Sequence, residues 1–435
     1  VTGGAGKPRH GVPRRRPRLD RRWNPQYRFT TVMANTYSQE FIRAIPKTDL
    51  HVHLDGSLRL STLIDLARKR KVELPSFTEE GLNKLVFKDS YASLNEYLEG
   101  FSWTLRVMQD AESLERIAYE LAEDNWAEGV RYVEVRFAPQ LHMSRTLGFN
   151  DVMTAVDHGL RRAREAFNAT LRAGEPPFDY GIIVCAMRFF NESFSEYYQT
   201  LYRALSFSSQ QEVISAASLE LARAGVQLRR QTGVQIVGFD LAGAEEGYPA
   251  SAHEAAYDYV HRNFMRKTVH AGEAYGPESI FQAIAKLHAD RIGHGLHMFS
   301  EEMIFSGSVQ DKRLYIENLV NYIAENRTTI EVCLTSNLQT SPELPAIGEH
   351  SLRRMLDNKL SVTFCTDNRL VSHTSVTREL TLALENFDIP PRQLKDIIIY
   401  GFKRSFSYRP YAKKREWVHG VIDYYEALEK KFGVA

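Results

Sequence analysis

Four short stretches carry side chains that could do chemistry together. His51 and His53 stand two apart in Asp49-Leu50-His51-Val52-His53; His270 and Glu273 lie in Val269-His270-Ala271-Gly272-Glu273. His294 sits in Ile292-Gly293-His294-Gly295, and Asp367 and Asn368 in Thr366-Asp367-Asn368. Each stretch follows an apolar run. Alternate residues of a strand share a face, so His51 and His53 would point the same way. Taken alone, a His-x-His pair is also compatible with two unrelated core or surface histidines. A single polar strand tip is compatible with a helix cap or a satisfied turn. Imidazoles and a carboxylate gathered from several tips form a borderline-hard nitrogen and oxygen set. That set suits Zn²⁺, with one coordination position left for water.

Bringing such tips together requires elements whose ends meet. From Lys47 onward, short β-branched runs alternate with longer helical patterns. Strands are expected over 48–53, 130–137, 180–186, 234–241, 268–271, 291–294, 328–333 and 360–365. Between them, Leu114, Ile117, Ala118 and Leu121 repeat at helical spacing, as do Ile280, Ala283, Ile284 and Leu287. Strand–helix alternation implies a parallel sheet, and about eight units imply closure into a (β/α)8 TIM barrel. Barrel active sites lie at the carboxyl ends of the strands, where the polar tips stand. The Phe-, Tyr- and Leu-rich segment 75–106 is expected to form extra helices over that mouth. Segment 301–326 reads as a further helical insertion. No long linker divides residues 36–435, which read as one domain.

Bulk properties exclude several classes. The 435 residues are 43% hydrophobic and 25% charged, the balance of a soluble globular protein. A formal charge of +1 gives no global reason to expect a nucleic-acid partner. Cys185, Cys333 and Cys365 are too few and scattered for a disulfide framework and fit a reducing cytoplasm. No run approaches the roughly 18 apolar residues of a membrane span, and the first residues lack the apolar core of a secretory signal. Residues 1–35 form a Gly-, Pro- and Arg-rich tail. It reads as a disordered extension, as sequence ahead of a natural start at Met33, or as a mitochondrial-type presequence. It is set aside in the fold argument.

Longer stretches carry a resemblance. Thr48-Asp49-Leu50-His51-Val52-His53-Leu54-Asp55-Gly56-Ser57 resembles the opening signature of the adenosine deaminase family. Gly238-Phe239-Asp240-Leu241-Ala242-Gly243, the motifs around His270 and His294, and Thr366-Asp367-Asn368 resemble its later motifs, in order. The resemblance implies that His51, His53, His270 and Asp367 hold one zinc ion per chain. It implies acid/base work for Glu273, a place beside the attacking water for His294, a purine contact from the Gly243 N–H, and a ribose contact from Asp55. His53 would also border the substrate.

The chemistry of replacing a purine amine is consistent with those roles. A zinc ion lowers the pKa of water from about 15.7 toward 7. Attack at C6 pushes charge onto N1, where Glu273 can deliver a proton. His294 and Asp367 can orient the water and accept its proton. The Pro-Cys-x-x-Cys signature of the other zinc deaminases is absent, which argues against that class. One position departs from the family's commoner pattern of two consecutive aspartates: the second is Asn368. Purine N7 only accepts, and an asparagine NH₂ donates at any pH, so Asn368 is expected to bind N7; capping the next helix is the alternative.

The expected reaction is conversion of adenosine, and 2′-deoxyadenosine, to inosine and ammonia. Another 6-aminopurine (adenine or an N6-substituted AMP) is the nearest rival, and an inert binding protein on the same barrel a second. A third rival makes the basic tail a nucleic-acid arm. Arg136 and Arg188 are expected in buried ion pairs, and His297 and His373 outside the site; for His142 the pocket rim is the lesser alternative to a place outside the site. Lys413-Lys414-Arg415 reads as a solvated face.

Overall fold

Eight apolar runs become β1 (Lys47–His53), β2 (Val130–Phe137), β3 (Asp179–Met187), β4 (Ile236–Ala242), β5 (Arg266–Ala271), β6 (Arg291–His294), β7 (Thr329–Val332) and β8 (Ser361–Phe364). The computed structural model describes residues 37–342, 344 and 346–434, so the Arg-rich tail lies outside the described residues. The strands pair in chain order and all in parallel. Their bounds differ from the expected ones by at most two residues at either end. Nearly every strand position is buried, because helices cover the outside while side chains fill the inside. Double burial explains why these strands read as continuous apolar runs instead of alternations.

The barrel closes just beyond β8. Asp367 N–H donates to His51 O at 2.8 Å, and His53 N–H donates to Asp367 O at 2.7 Å. That ladder joins the last strand's exit to the first strand's end. It holds Asp367 against two histidines more than 300 positions away in the chain.

Helices form where the periodicity requires them. Leu114, Ile117, Ala118 and Leu121 are all buried on Ala111–Ala127, whose amino end is capped by Asp110. Segment 75–106 folds, as expected, into three short helices, Glu79–Leu85, Leu94–Glu99 and Phe101–Leu105. The reading of 301–326 needs correction: helix Lys312–Asn326 is the regular connection between β6 and β7, and only the stretch before it is added. The periodicity was that of an ordinary barrel helix. Among the described residues, no helix is long and apolar enough to cross a membrane, and all three cysteines are buried and unpaired.

The interior departs from the branched-aliphatic layers usual in such barrels. Glu134, Arg136, Asp240, Arg291 and Glu331 are fully buried there. Arg136 reaches Asp240 at 2.8 Å and Glu331 at 2.9 Å, while Arg291 pairs with Glu331 at 2.6 Å and also with Glu134.

Helix Pro391–Arg404 packs tightly over β1 and β8 at Gly401, where an added Cβ would stand 2.2 Å from Thr48 Oγ1. Gly401→Val is expected to destabilise by about 1–3 kcal/mol through overpacking. Gly420, exposed on helix Tyr411–Phe432 with nothing within 4 Å of a Cβ, should gain about 1 kcal/mol as Gly420→Ala. Urea midpoints moving in opposite directions would bear this out; equal midpoints would refute the packing argument.

Candidate active site

The carboxyl ends of β1, β5 and β8 aim donor atoms at one point. One ligand atom from each of His51, His53, His270 and Asp367 lies within 4.8 Å of all the others, and all four residues are buried. His53 Nε2 stands 3.1 Å from His270 Nε2. Asp367 Oδ1 is 3.4 Å from His51 Nε2 and 3.5 Å from His53 Nε2. An ion with bonds of about 2.0–2.2 Å puts neighbouring donor atoms about 3–3.5 Å apart. The spacing therefore fits a zinc-sized ion. The buried Nε2 of His51 has no hydrogen-bond partner, as a ligand atom awaiting a cation requires.

The other nitrogen of two rings is already committed. His51 Nδ1 lies 2.9 Å from Glu331, and His270 Nδ1 lies 3.2 Å from Asp240. Such partners fix the ring's orientation and tautomer, leaving Nε2 for a metal. Burial drives His53 and His270 toward their neutral, metal-binding forms. His51 is different: burial and Arg136 oppose its charge, but the facing carboxylates of Asp367 and Glu331 raise its pKa. Asp367 stays ionised against the effect of burial because three histidines surround it, His51 foremost.

Glu273 and His294 stand beside this cluster. His294 Nε2 is 3.6 Å from Glu273 Oε1, and Glu273, His294 and Asp367 also converge within 4.8 Å. Burial pushes the Glu273 carboxyl well above the ordinary range, with Asp367 and Glu245 adding to it. The loop carrying Glu273 is anchored from below. Glu245 accepts the N–H groups of Gly272, Glu273, Ala274 and Tyr275, at 2.7 to 3.0 Å. A relay fixes His294: Leu352 N–H donates to His350 Nδ1 (3.0 Å), His350 Nε2 meets Asn337 Oδ1 (3.2 Å), and Asn337 Nδ2 meets His294 Nδ1 (3.1 Å). Two site residues adopt the left-handed backbone that side chains disfavour, His294 at φ 65° and Asp367 at φ 58°. Strain of this kind costs of order 1–3 kcal/mol and gathers at functional sites.

A cavity of about 950 Å³ opens over the cluster. His53, Asp55, Gly243, His270, Glu273, His294, Asp367 and Asn368 line its floor, and the helices of segment 75–106 supply much of its wall. Gly243 has φ 94°, so the chain turns sharply at the end of β4. Asp55 is buried with an unpartnered Oδ1, and burial lifts its carboxyl to about 7. Asn368 donates from Nδ2 to Tyr97 Oη at 2.8 Å, Tyr97 Oη lies 2.8 Å from Ser372 Oγ, and Asn368 Oδ1 is buried without a partner.

Both arginines occupy the buried ion pairs expected of them: Arg136 with Asp240 and Glu331, and Arg188 with Glu245 at 4.0 Å, where it also meets the carbonyls of Tyr248 and His270. His142 does not reach the rim: it is buried with Nδ1 on Met108 O at 2.9 Å. His297 and His373 do not line the cavity. Residues not singled out as site candidates do much of the positioning, namely Glu331, Asp240, Glu245, Asn337, His350 and Tyr97. For Glu331 and Asp240 a signal existed: each is a lone charge inside a short apolar strand.

A family model described as adenosine deaminase matches residues 46–424. An adenosine deaminase of Mycobacterium avium (strain 104) is 35% identical over 369 residues, spanning 84% of this chain and 92% of that protein. An amidohydrolase from Burkholderia ambifaria, solved with bound Zn, superposes with a TM-score of 0.71 at 18% identity, covering 94% of this chain and 98% of that one. The N6-methyl-AMP deaminase of Arabidopsis thaliana gives 0.67 at 23% identity, covering 89% and 98%. At these identities the two solved structures bear on the fold alone.

Glu331→Gln removes the carboxylate that holds the His51 ring, and metal affinity should fall about 10–100-fold. Competition with a chromophoric chelator, at a temperature where circular dichroism shows the variant folded, measures it. Unchanged affinity would separate Glu331 from the metal centre.

Proposed function

We propose that this chain, which belongs to the adenosine deaminase family, hydrolyses adenosine and 2′-deoxyadenosine to the corresponding inosines and ammonia, within purine metabolism. The convergence of four metal-ligand atoms with Glu273 and His294 on the floor of one cavity carries the reading. Residues 36–435 are taken as one catalytic unit. Zinc is the proposed ion on the ligand types, three imidazoles and a carboxylate. When bound, it supplies the Lewis acidity that makes water a nucleophile at neutral pH.

The chain's own groups then divide the work. Glu273, kept protonated by burial, donates its proton to purine N1 as the nucleophile adds to C6. His294 is neutral, because burial holds its pKa well below the ordinary value. Burial, reinforced by His297, holds His350 at about 3. Since His350 Nδ1 accepts from Leu352 N–H, its proton sits on Nε2 and goes to Asn337 Oδ1. Asn337 thus donates to His294 Nδ1, and the His294 proton sits on Nε2, facing the reacting atoms. His294 therefore orients the water by donating to its oxygen. Asp367 accepts one water proton and passes it to the 6-amino nitrogen as the C6–N bond breaks and ammonia leaves, and the remaining hydroxyl proton restores Glu273 as the C6 carbonyl forms. The Gly243 N–H and Asp55 hold the base and the ribose.

Asn368 serves N7 after a half-turn of its amide. Tyr97 Oη then donates to Oδ1 and accepts from Ser372, leaving the NH₂ for the purine. Hydroxyl protons rotate freely enough to allow this, and the turn satisfies an oxygen otherwise buried alone.

A nucleoside is favoured over a nucleotide by the charges around the cavity. Asp55 lies inside it, and the ionised fraction of its carboxyl repels a phosphate dianion. The single arginine of the lining, Arg106, is exposed and stacked over Trp103 at 4.4 Å. Buried, unpaired cysteines support the cytoplasm as the compartment.

Glu273→Gln is expected to lower kcat by about 10²–10⁴ while zinc content stays at one per chain; elemental analysis checks the ion and assays its identity. A panel of adenosine, 2′-deoxyadenosine, adenine, AMP and N6-methyl-AMP, read by ultraviolet absorbance and ammonia release, tests the substrate. Preference for adenine or a nucleotide would overturn the nucleoside reading. Asn368→Ala should reduce kcat/KM by about 1–3 kcal/mol of transition-state stabilisation, and Tyr97→Phe by less; wild-type kinetics for both would refute the N7 contact.

A further inference from the structure

The basic run near the carboxyl end does not lie wholly on a solvated face. Lys414 points inward, its Nζ held only by carbonyl oxygens, those of Lys403 at 2.9 Å and Ser405 at 2.6 Å. It lines a second cavity, of about 370 Å³, at the amino ends of β5, β6 and β7, opposite the metal ligands. Arg266, Arg291, Arg327, Lys403, Arg404 and Lys414 line that cavity against a single carboxylate, Asp290.

Some of this charge is already answered. Arg266 pairs with Asp290 at 2.7 Å, and Arg291 pairs inward with Glu134 and Glu331. The rest is not. Among the described residues, Arg327, Arg404 and Lys414 form no ion pair, and Arg404 Nε is buried with no hydrogen-bond partner. The like charges act on one another. Burial and then Arg327 lower the Arg404 pKa. Lys414 falls to about 8 through burial, opposed by Glu134 and reinforced by Arg291, Arg266 and Arg404.

Uncompensated cations around a concavity focus a positive field. Guanidinium forks match phosphate oxygens bidentately, and a lysine adds a point charge. The volume lies within the range of small-molecule sites, about 300–1,000 Å³. We propose that this cavity is a second binding site, separate from the deamination site, for an oligophosphate, either free or as the phosphate chain of a nucleotide. Tyr322, on the rim and 54% exposed, gives a base a ring to stack on in the second case.

Calorimetric titration of the full chain with tripolyphosphate at low salt tests the site. One tripolyphosphate per chain is expected, with affinity falling as salt rises. The double variant Arg327→Gln/Arg404→Gln should bind about tenfold or more weakly, with adenosine turnover and urea midpoint unchanged. Titration with ATP separates the sources. Tighter binding that Tyr322→Ala abolishes assigns a nucleotide; binding equal to tripolyphosphate and indifferent to that change assigns the free anion. No saturable binding at millimolar tripolyphosphate would overturn the proposal, and so would undiminished binding by the double variant. Neither result touches the deaminase reading, which rests on the opposite end of the barrel.

Discussion

The Glu331 carboxylate, buried midway along β7, meets donors from four other strands: His51 of β1, Arg136 of β2, Thr268 of β5 and Arg291 of β6. Arg136 carries the network on to Asp240 of β4, and Asp240 to His270. Most of the barrel wall is thereby tied to one set of buried charges, and two of the proposed metal ligands, His51 and His270, hang from its ends. Removing one member of a buried pair costs about 3–5 kcal/mol, because the other is left uncompensated. The same fact makes the network a precise support: neither the His51 nor the His270 ring can turn without breaking its bond to a buried carboxylate.

The network is also unbalanced in a useful sense. Glu134, Asp240, Glu331 and Asp367 face Arg136 and Arg291, so carboxylates outnumber guanidiniums by two among these buried side chains. Such an excess is unfavourable by itself, and a divalent cation bound at the cluster would offset it. The barrel seam contributes as well. Asp367 is held at φ 58° by backbone bonds to His51 and His53, so the ladder that completes the barrel also delivers the carboxylate. Closure of the fold and assembly of the centre are one event.

Much of this was legible in the chain itself, for a physical reason. Parallel strands buried on both faces write themselves as apolar runs, so β1 through β8 could be located to within two residues. Residues at strand ends share one face of the barrel, so the polar tips bearing His51, His53, His270, Glu273, His294 and Asp367 could be grouped without coordinates. The choice of His51, His53, His270 and Asp367 as ligands came from the family resemblance. The helix Lys312–Asn326 was misjudged as an insertion because periodicity reports a helix and not its place in the topology. Glu245, Asn337 and His350 were invisible for a deeper reason. They act through loops and short helices whose approach depends on tertiary packing, and a lone polar residue in such a segment looks like any surface residue. His142 shows the converse case: a histidine near the mouth in sequence is spent on a backbone carbonyl and does not line the cavity, the reading favoured from the sequence.

Asn368 fits the same electrostatic argument. The mouth already holds two carboxyls that burial lifts toward protonation, Asp55 at about 7 and Glu273 well above its ordinary value. Asp367 adds to both shifts. Another aspartate at 368 would stand next to Asp367 in the chain and would have to be protonated to donate to N7. An amide donates at any pH and adds no charge. Its cost is a carbonyl oxygen that needs a donor, and Tyr97 and Ser372 supply one within reach. The departure from two consecutive aspartates thus moves the burden from a shifted pKa to a hydroxyl pair. The proposed N7 contact would also tie purine recognition to the helix Leu94–Glu99, an element of the cavity wall that the barrel itself does not require.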